Sequence, residues 1–367
     1  MEALRVEAGH ITALRLFDIA YAIDLERAEA LWAGRSRRAR LAATPPKAVA
    51  FGDPPLGLAL DPVALDLGDG PVEFAATARL YAFGAVTLAL RATVAGVTWG
   101  AFVDRVNAIE RAAGGPGDAG PWRALLDQLR ATLGPALRRP SATTLEEDYL
   151  IAGVQAFDAT PTGAELLTRV DLVPLLAGEA RALADGARAD LLRARFSYYT
   201  DDLVVLTWDR AFIYDPRGES DVADVIEVAN AQLLEMRYYD ELLDDELPRM
   251  YDLVGATRRS VNLLAARRYA DLARRLYTLV AEVTELTERV DNALQVTEDV
   301  YLARVYAAAL DLFRVPTVTA AVHRKLAIVR DTYAALYDEA SGIRAELLEV
   351  AIVVLILIEL VVAVLRP

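Results

Sequence analysis

The sequence of 367 residues contains no cysteine and only two histidines. The absence of cysteine excludes disulfide bonds, thiolate catalysis, and zinc or iron–sulfur centres with cysteine ligands. His10 and His323 are far apart in the sequence and fall on different predicted elements, which disfavours a histidine-based general base or metal site. We therefore expect no catalytic residue, no metal ligand and no cofactor.

Lysine is almost absent as well, since only Lys47 and Lys325 occur, and the formal net charge is −14. A protein this acidic is disfavoured as a nucleic-acid binder over its whole surface, but local basic patches stay open. Arginine pairs flank a predicted helical seam, and their simplest role is to pair with carboxylates; an RNA or lipid-headgroup patch is the alternative. These pairs are Arg258 with Arg259, Arg267 with Arg268, and Arg274 with Arg275.

The first 218 residues predict a mixed α/β head with a split βαβ layout, so that the whole chain is of the α+β class. A hairpin is expected at Gly84, because the residues on both sides alternate between apolar and small side chains. The predicted strands and helices are strand Ile11–Ala20, helix Asp24–Leu31, strands Val72–Ala82 and Ala85–Val94, helices Trp99–Ala112 and Trp122–Leu133, and strand Tyr149–Phe157. An interrupted helix is expected over Leu166–Leu192.

A second predicted hairpin turns at Trp208, Asp209 and Arg210, between the short apolar runs Leu203–Thr207 and Ala211–Tyr214. From 219 to 346 the pattern is helical. One apolar seam at spacings of three and four runs from Tyr269 to Ala293, and a second from Val322 to Val350. We expect these seams to form a stalk of long antiparallel coiled helices; a bundle within one globular domain is the alternative.

The segment 347–367 predicts a C-terminal transmembrane helix, because thirteen of the residues from Val350 to Leu365 are Leu, Ile or Val. Counted from Leu347 to Leu365, the helix is about 28 Å long, close to the ~30 Å hydrocarbon core. The aliphatic residues favour insertion by roughly 4–8 kcal/mol, and the intramembrane polar residue Glu359 costs on the order of 3 kcal/mol. Glu359 either snorkels in a marginal anchor or contacts a partner helix in an oligomer. A buried helix of a soluble bundle is a third interpretation.

Two further patterns resemble sites but favour a structural role. Residues 115–120 match G-x-G-x-x-G, yet they follow a predicted helix, and Pro116 lacks an N–H group for phosphate, so a flexible loop is expected. Several carboxylates crowd one stretch of helix, where residues at i and i+4 could hold Mg²⁺ or Ca²⁺; a solvated acidic face is favoured. These carboxylates are Asp240, Glu241, Asp244, Asp245 and Glu246.

The stretches 198–215 and 227–240, with Glu285–Asn292 and the tail Ile358–Leu360, resemble a known family. It is the family named for being required for meiotic nuclear division, which includes YagE-type bacterial proteins and mitochondrial inner-membrane members. The resemblance covers the chain from about Asp148 onward and implies a C-terminal transmembrane helix. The family has no established catalytic residues, so the resemblance implies none here. Its motif residues here, to which we assign a structural role, are Asp201, Asp202, Trp208, Asp209, Asn230, Gln232, Tyr238 and Tyr239.

Together these patterns predict a non-catalytic, membrane-anchored scaffold or tether. Residues 347–366 would enter the inner membrane of a bacterium, with the head in the cytoplasm facing a protein or ribosome partner. The helical seams predict a homo-oligomer. A ribosome- or RNA-associated adaptor at the membrane is the alternative. A further one is a metal-dependent hydrolase or nucleotide-binding enzyme that uses Asp201, Asp202 and the carboxylates of Asp240–Glu246 with a metal.

Overall fold

The structure, a computed structural model, describes the chain from Leu4 to Leu365 with internal gaps. The residues left out are 1–3, 33–35, 39–48, 51–53, 69, 116, 118–119, 142–144, 180, 219–220, 259–270, 272–273, 275–276, 279, 282, 285–294, 297–298 and 366–367. Most of the first predicted seam therefore lies outside the described residues. So do four of the six paired arginines, namely Arg259, Arg267, Arg268 and Arg275.

A large, mainly antiparallel sheet forms the centre of the head. The described strands are β1 (Arg5–Asp18), β2 (Ala20–Ile23), β3 (Ser36–Arg38), β4 (Val49–Ala50), β5 (Leu56–Ala59), β6 (Val63–Asp66), β7 (Pro71–Leu80), β8 (Ala85–Val94), β9 (Val97–Thr98), β10 (Leu137–Pro140), β11 (Glu146–Phe157), β12 (Arg195–Phe196), β13 (Leu203–Leu206), β14 (Arg210–Tyr214) and β15 (Gln295–Val296). The main sheet has the order β12-β13-β14-β11-β1-β8-β7-β5-β3. This confirms the mixed α/β class with a large sheet.

The four long strands have the order and the directions of a split βαβ layout. Their order is β11-β1-β8-β7, and each neighbouring pair is antiparallel. β8 therefore lies between β1 and β7, which run in the same direction. Beyond β11 the sheet continues with β14, which is parallel to it. The β13–β14 hairpin thus extends the edge of the head sheet instead of forming a separate element.

Gly84 makes the turn between β7 and β8, as the sequence predicts. Its φ is +112°, and a Cβ atom there would lie 1.7 Å from the carbonyl oxygen of Ala20. The carbonyl of Gly84 accepts a hydrogen bond from the N–H of Ile19, 3.2 Å away. Only glycine fits, because the backbone angle and the close approach both exclude a side chain.

Three of the six described helices of the head begin at a residue whose side chain caps the helix. The six helices are α1 (Leu25–Leu31), α2 (Trp99–Ala113), α3 (Pro121–Leu133), α4 (Gly163–Arg169), α5 (Val173–Ala177) and α6 (Asp185–Leu191). Asp24 and Thr98 accept N–H hydrogen bonds at the starts of α1 and α2, and Thr162 forms a capping box with Glu165. The interrupted helix predicted over Leu166–Leu192 is three short helices, and Gly178 ends α5 in the left-handed conformation.

One face of the sheet carries the main apolar core. Phe102 of α2 and Leu129 of α3 are fully buried in a cluster with Ile11 of β1 and with Leu88 and Leu90 of β8. Because side chains alternate along a strand, the neighbouring residues point to the opposite face. Over β1, β7 and β8 that opposite face carries small and polar side chains: His10, Thr12, Ala75, Thr77, Thr87, Ala89 and Arg91.

Three longer helices follow the head strands: α7 (Val222–Arg258), α8 (Val300–Leu312) and α9 (Val315–Leu365). By its contacts the chain divides into two compact units. The first comprises residues Met1–Met236 and Arg289–Pro316, and the second Arg237–Glu288 and Thr317–Pro367. The first unit thus includes two segments that the sequence assigns to the stalk.

Part of the predicted second seam is buried in the second unit. Val322 and Val329 are each 1% exposed, and Val283 of the first seam is fully buried. The ring of Tyr333, in the second seam, lies 5.9 Å from that of Tyr277, which is next to a residue of the first seam. The two segments that carry the seams are therefore in contact at this point. The rest of the antiparallel coiled pairing stays a prediction.

The C-terminal transmembrane helix is not established by the described residues. None of their helices alone is both long and apolar enough to cross a membrane. Val300–Leu312 and Val315–Ala335 meet that requirement only as a bent pair, and Ile352–Val361 is a shorter apolar helix.

Candidate functional site

Asp202, one of the motif residues named in the sequence analysis, stabilises the loop that precedes it. Its carboxylate accepts hydrogen bonds from the backbone N–H groups of Tyr198 and Tyr199, at 2.8 and 3.0 Å. Burial raises the pKa of Asp202, although these two hydrogen bonds act in the opposite direction. Its neighbour Asp201 is half-buried. The geometry fits the structural role assigned to the motif, because the carboxylate of Asp202 already binds backbone donors.

The predicted turn at Trp208, Asp209 and Arg210 joins two antiparallel strands. Asp209 Oδ1 accepts a hydrogen bond from the hydroxyl of Thr207 at 3.2 Å. The guanidinium of Arg210 is buried, and it donates to Leu175 O at 2.6 Å and also contacts Asn107 and Glu110. Trp208 remains 50% exposed, and its ring contacts Phe313 and the guanidinium of Arg314. Arg210 therefore connects the hairpin to α2 and α5.

The two amides of the motif have partners on α7 and α8. Asn230 lies inside α7, two turns from its start, and donates to Ile226 O at 3.2 Å. Gln232 Oε1 accepts a hydrogen bond from the hydroxyl of Tyr306 on α8 at 2.7 Å. Both side chains thus serve helix structure and packing. Tyr239 is buried, and its ring contacts that of Tyr238 at 5.5 Å.

Lys325 of α9 pairs with two carboxylates of the acidic stretch of α7. Nζ of Lys325 is 2.6 Å from Asp240 Oδ1 and 2.7 Å from Asp244 Oδ1. These carboxylates raise the pKa of Lys325, although burial acts in the opposite direction. Arg249 pairs with Glu246 at 2.6 Å. Among the described residues, no group of three or more potential ligands is placed to hold a metal ion.

The glycine-rich stretch, the arginine pairs, His323 and Glu359 are the remaining residues that the sequence pointed to. The N–H of Gly117, in the G-x-G-x-x-G stretch, donates to the carboxylate of Glu146, which would repel a phosphate group there. Of the arginine pairs, Arg274 lies 4.0 Å from Asp271, three residues earlier in the chain. His323 is exposed, and Glu359 lies in the exposed stretch of α9.

A groove of about 740 Å³ lies over the face of the sheet opposite the main core. We call it the sheet groove. Its floor consists of small side chains on β1, β7 and β8, and the start of α7 closes one end. The residues that line it are His10, Thr12, Leu14, Gly57, Leu58, Ala59, Ala75, Thr77, Ala78, Arg79, Thr87, Ala89, Arg91, Ile151, Ala223, Asp224 and Glu227. Its volume lies within the range of about 300–1,000 Å³ that is typical of small-molecule sites.

One end of the sheet groove is a compact ion cluster. Arg79 lies 2.9 Å from Asp224 and 2.6 Å from Glu227, and the hydroxyl of Tyr81 donates to Glu227 at 2.8 Å. Burial raises the pKa of Asp224 to about 7, and the charge of Glu227 acts in the same direction, against that of Arg79. The single guanidinium therefore compensates two carboxylates, and this end carries no excess positive charge.

The other end of the sheet groove has a different character. Burial lowers the pKa of His10 to about 4, and the charge of Arg91 acts in the same direction, so the imidazole is neutral at pH 7. The ring lies against Gly153, whose Cβ, if present, would be 2.3 Å from His10 Cε1. Nδ1 of His10 and the hydroxyl of Thr87, near the ion cluster, are buried without a hydrogen-bond partner in the described part of the chain.

The sheet groove was not predicted from the sequence. In the sequence, His10 is an isolated histidine, and the alternation of β7 and β8 indicates only a hairpin. A signal was present, because Thr77, Arg79, Thr87 and Arg91 all fall on the phase opposite to the apolar residues. The contribution of α7 had no such signal, because Asp224 and Glu227 are more than 130 residues away from these strands in the chain.

Comparison with known proteins gives a family without an assigned activity. Residues 8–221 match the model of the family described as "Uncharacterized protein MJ0711, N-terminal domain". The uncharacterised protein MJ0711 of Methanocaldococcus jannaschii is 27% identical over 175 residues, which are 47% of this chain and 52% of that protein. The chain thus spans about half the length of this relative. No solved structure matches the chain.

The matched region covers strands β1 to β14 except the first three residues of β1. It also covers both predicted hairpins and the residues of the sheet groove up to the start of α7. The comparisons do not confirm the resemblance to the family required for meiotic nuclear division, which stays a prediction. Because the family model matches more than half of the chain, the protein belongs to the family of the uncharacterised MJ0711 N-terminal domain.

Proposed function

We propose that the protein is a non-catalytic, membrane-anchored scaffold or tether whose head faces a cytoplasmic partner. The observation that carries the proposal is the exposure of the apolar helical stretch Ile352–Val361. Its nine large aliphatic side chains are each between 47% and 63% exposed. In water, such a stretch would be an aggregation site, because large contiguous apolar surfaces are rarely left uncovered.

The arrangement of these side chains favours lipid as the surroundings. Ten helical residues make almost three turns, so the apolar side chains point in every direction around the axis. A second copy of the chain would cover one stripe of this surface, whereas hydrocarbon covers all of it. Helix α9 continues to Leu365, so the 19-residue stretch from Leu347 is available as an anchor of about 28 Å.

The engagement of the candidate carboxylates supports a role without catalysis. Asp202 binds backbone N–H groups, and Asp240 and Asp244 share Lys325. We place the anchor in the cytoplasmic membrane and propose that the protein forms homo-oligomers. In an oligomer, Glu359 would find a polar partner away from lipid. In this proposal the head binds a partner, which is a protein or the ribosome, and the helices hold it at the membrane. The alternative is that the chain is an adaptor at the membrane that associates with the ribosome or with RNA.

Charge substitutions in α9 test the anchor. Ile356→Arg replaces a side chain that favours insertion with one that opposes it, a change of roughly 3–4 kcal/mol at the centre of a span. We expect this variant to be extracted from membranes by alkaline carbonate, while the wild type stays in the pellet. Glu359→Leu removes a cost of on the order of 3 kcal/mol and should resist extraction at least as well as the wild type.

The matched control is Tyr337→Arg, since Tyr337 is 59% exposed on the same helix but lies outside the apolar stretch. It should behave like the wild type. Equal extraction of the Ile356→Arg and Tyr337→Arg variants would contradict the proposal, and so would a wild-type chain that is found entirely in the soluble fraction.

A further inference from the structure

We propose that the sheet groove binds a small, flat molecule that carries a phosphate or carboxylate group, and that Arg91 holds this oxyanion. The site is separate from the proposed anchor, because all its residues lie between His10 and Glu227. It would give the head a ligand-dependent state without requiring a reaction.

The charges of the groove indicate where an oxyanion would lie. Arg79 is already paired with Asp224 and Glu227. Arg91 makes neither an ion pair nor a hydrogen bond with the described part of the chain. It is exposed at the groove, so an external oxyanion can reach its guanidinium in a protein whose net charge is −14. A bidentate oxyanion would supply the missing partner.

The polar atoms without partners indicate further contacts. His10 lies on β1 diagonally from Arg91, and its Nδ1 is buried without a partner among the described residues. Thr87 is only 1% exposed, and its hydroxyl also has no partner among the described residues, although it lines the groove. Buried polar atoms usually have hydrogen bonds, so a ligand that bonds to them would relieve a cost.

The floor and the length of the groove limit the size of the ligand. Ala75 lies opposite Arg91, and Thr77 and Ala89 lie between the two ends; all three present little side-chain bulk. A flat ring system can lie on such a surface. Arg91 and Thr87 are four residues apart on β8, a distance of about 13 Å. A molecule that reaches from one to the other is about as long as a mononucleotide.

Calorimetric titration of the full-length protein in mild detergent tests this inference with four probes. Adenosine 5′-monophosphate and 2-naphthoate combine a flat body with a phosphate and a carboxylate, respectively. Adenosine offers a flat body without the oxyanion, and inorganic phosphate the oxyanion without the body. We expect one of the first two probes to bind at least tenfold more tightly than adenosine and phosphate. Which of the two binds more tightly identifies the kind of oxyanion.

The variant Arg91→Gln should weaken that probe at least tenfold. Arg123→Gln is the matched control, because Arg123 is an exposed arginine on α3, outside the groove, and its variant should bind like the wild type. Ala75→Phe places a ring on the exposed floor and should abolish binding while the melting temperature stays near that of the wild type. The inference is wrong if neither flat oxyanion binds the wild type, or if Arg91→Gln and Arg123→Gln have the same effect.

Discussion

At the scale of single residues, the charged side chains that attract attention in the sequence mostly have structural partners. Asp202 binds backbone N–H groups, and the guanidinium of Arg210 binds a carbonyl, an amide and a carboxylate. The sequence could suggest that these residues are structural, because no histidine or cysteine accompanies them. It could not identify their partners, since Arg210 and Asn107 are 103 residues apart in the chain.

His10 is the residue whose surroundings were least predictable from the sequence, and they predict a pH dependence. Burial lowers its pKa from 6.5 to about 4. Between these values the unfolded chain binds a proton that the folded chain does not, so the contribution of His10 to stability decreases as pH falls from 6.5 to 4. The shift corresponds to at most about 3 kcal/mol.

The variant His10→Phe keeps a ring over Gly153 and removes the titrating group. We expect the free energy of unfolding of the wild type, minus that of the variant, to decrease as pH falls through this window. The measurement is chemical denaturation between pH 4 and 7 without added ligand. Asp18, whose pKa burial raises to about 6, is present in both proteins and cancels in the difference. A difference that does not change with pH would contradict the prediction.

At the scale of helices and strands, local patterns predicted the long strands β1, β7, β8 and β11 and the helices α1, α2 and α3 correctly. The turn at Gly84, the capped starts of α1 and α2, and the hairpin at Trp208 follow from turn and cap chemistry within a few residues. The parallel neighbourhood of β11 and β14 was not predicted, because it depends on pairing between strands about 60 residues apart. Apolar spacing alone also could not show that the interrupted helix predicted here is the three short helices α4, α5 and α6.

The carboxylates of α7 at i and i+4 have the spacing of a Mg²⁺ or Ca²⁺ site, but Lys325 contacts two of them. Its ammonium group lies between two carboxylates at i and i+4. Lys325→Met would leave Asp240 and Asp244 facing each other without a cation. Because the pair is partly exposed, we expect a loss of about 1 kcal/mol of stability, measured by thermal or chemical unfolding.

The control Lys325→Arg keeps the charge and should lose less stability. Addition of Mg²⁺ or Ca²⁺ should raise the melting temperature of the Lys325→Met variant, where the carboxylates are free to bind it, and leave the wild type unchanged. A clear rise for the wild type would instead favour a metal site on this acidic stretch.

At the scale of the whole molecule, the sequence predicted an α/β head followed by long helices, and the structure has both. The sheet groove was beyond sequence reasoning, because it requires the strand order and the return of α7 to the sheet. The apolar stretch was visible in the sequence, and the structure adds that its described side chains are exposed. We propose that the head binds a ligand in the sheet groove and that the apolar stretch of α9 anchors the chain in a membrane.

The most direct test of the anchor uses the absence of cysteine, which makes single-cysteine variants unambiguous. Ile356→Cys and Tyr337→Cys place a thiol inside and outside the apolar stretch of the same helix. Both would be treated with a charged maleimide in open membrane fragments and again after detergent. We predict that Tyr337→Cys reacts in both conditions and Ile356→Cys only in detergent. Equal reaction of the two variants in membranes would show that the stretch is in water and would contradict membrane anchoring.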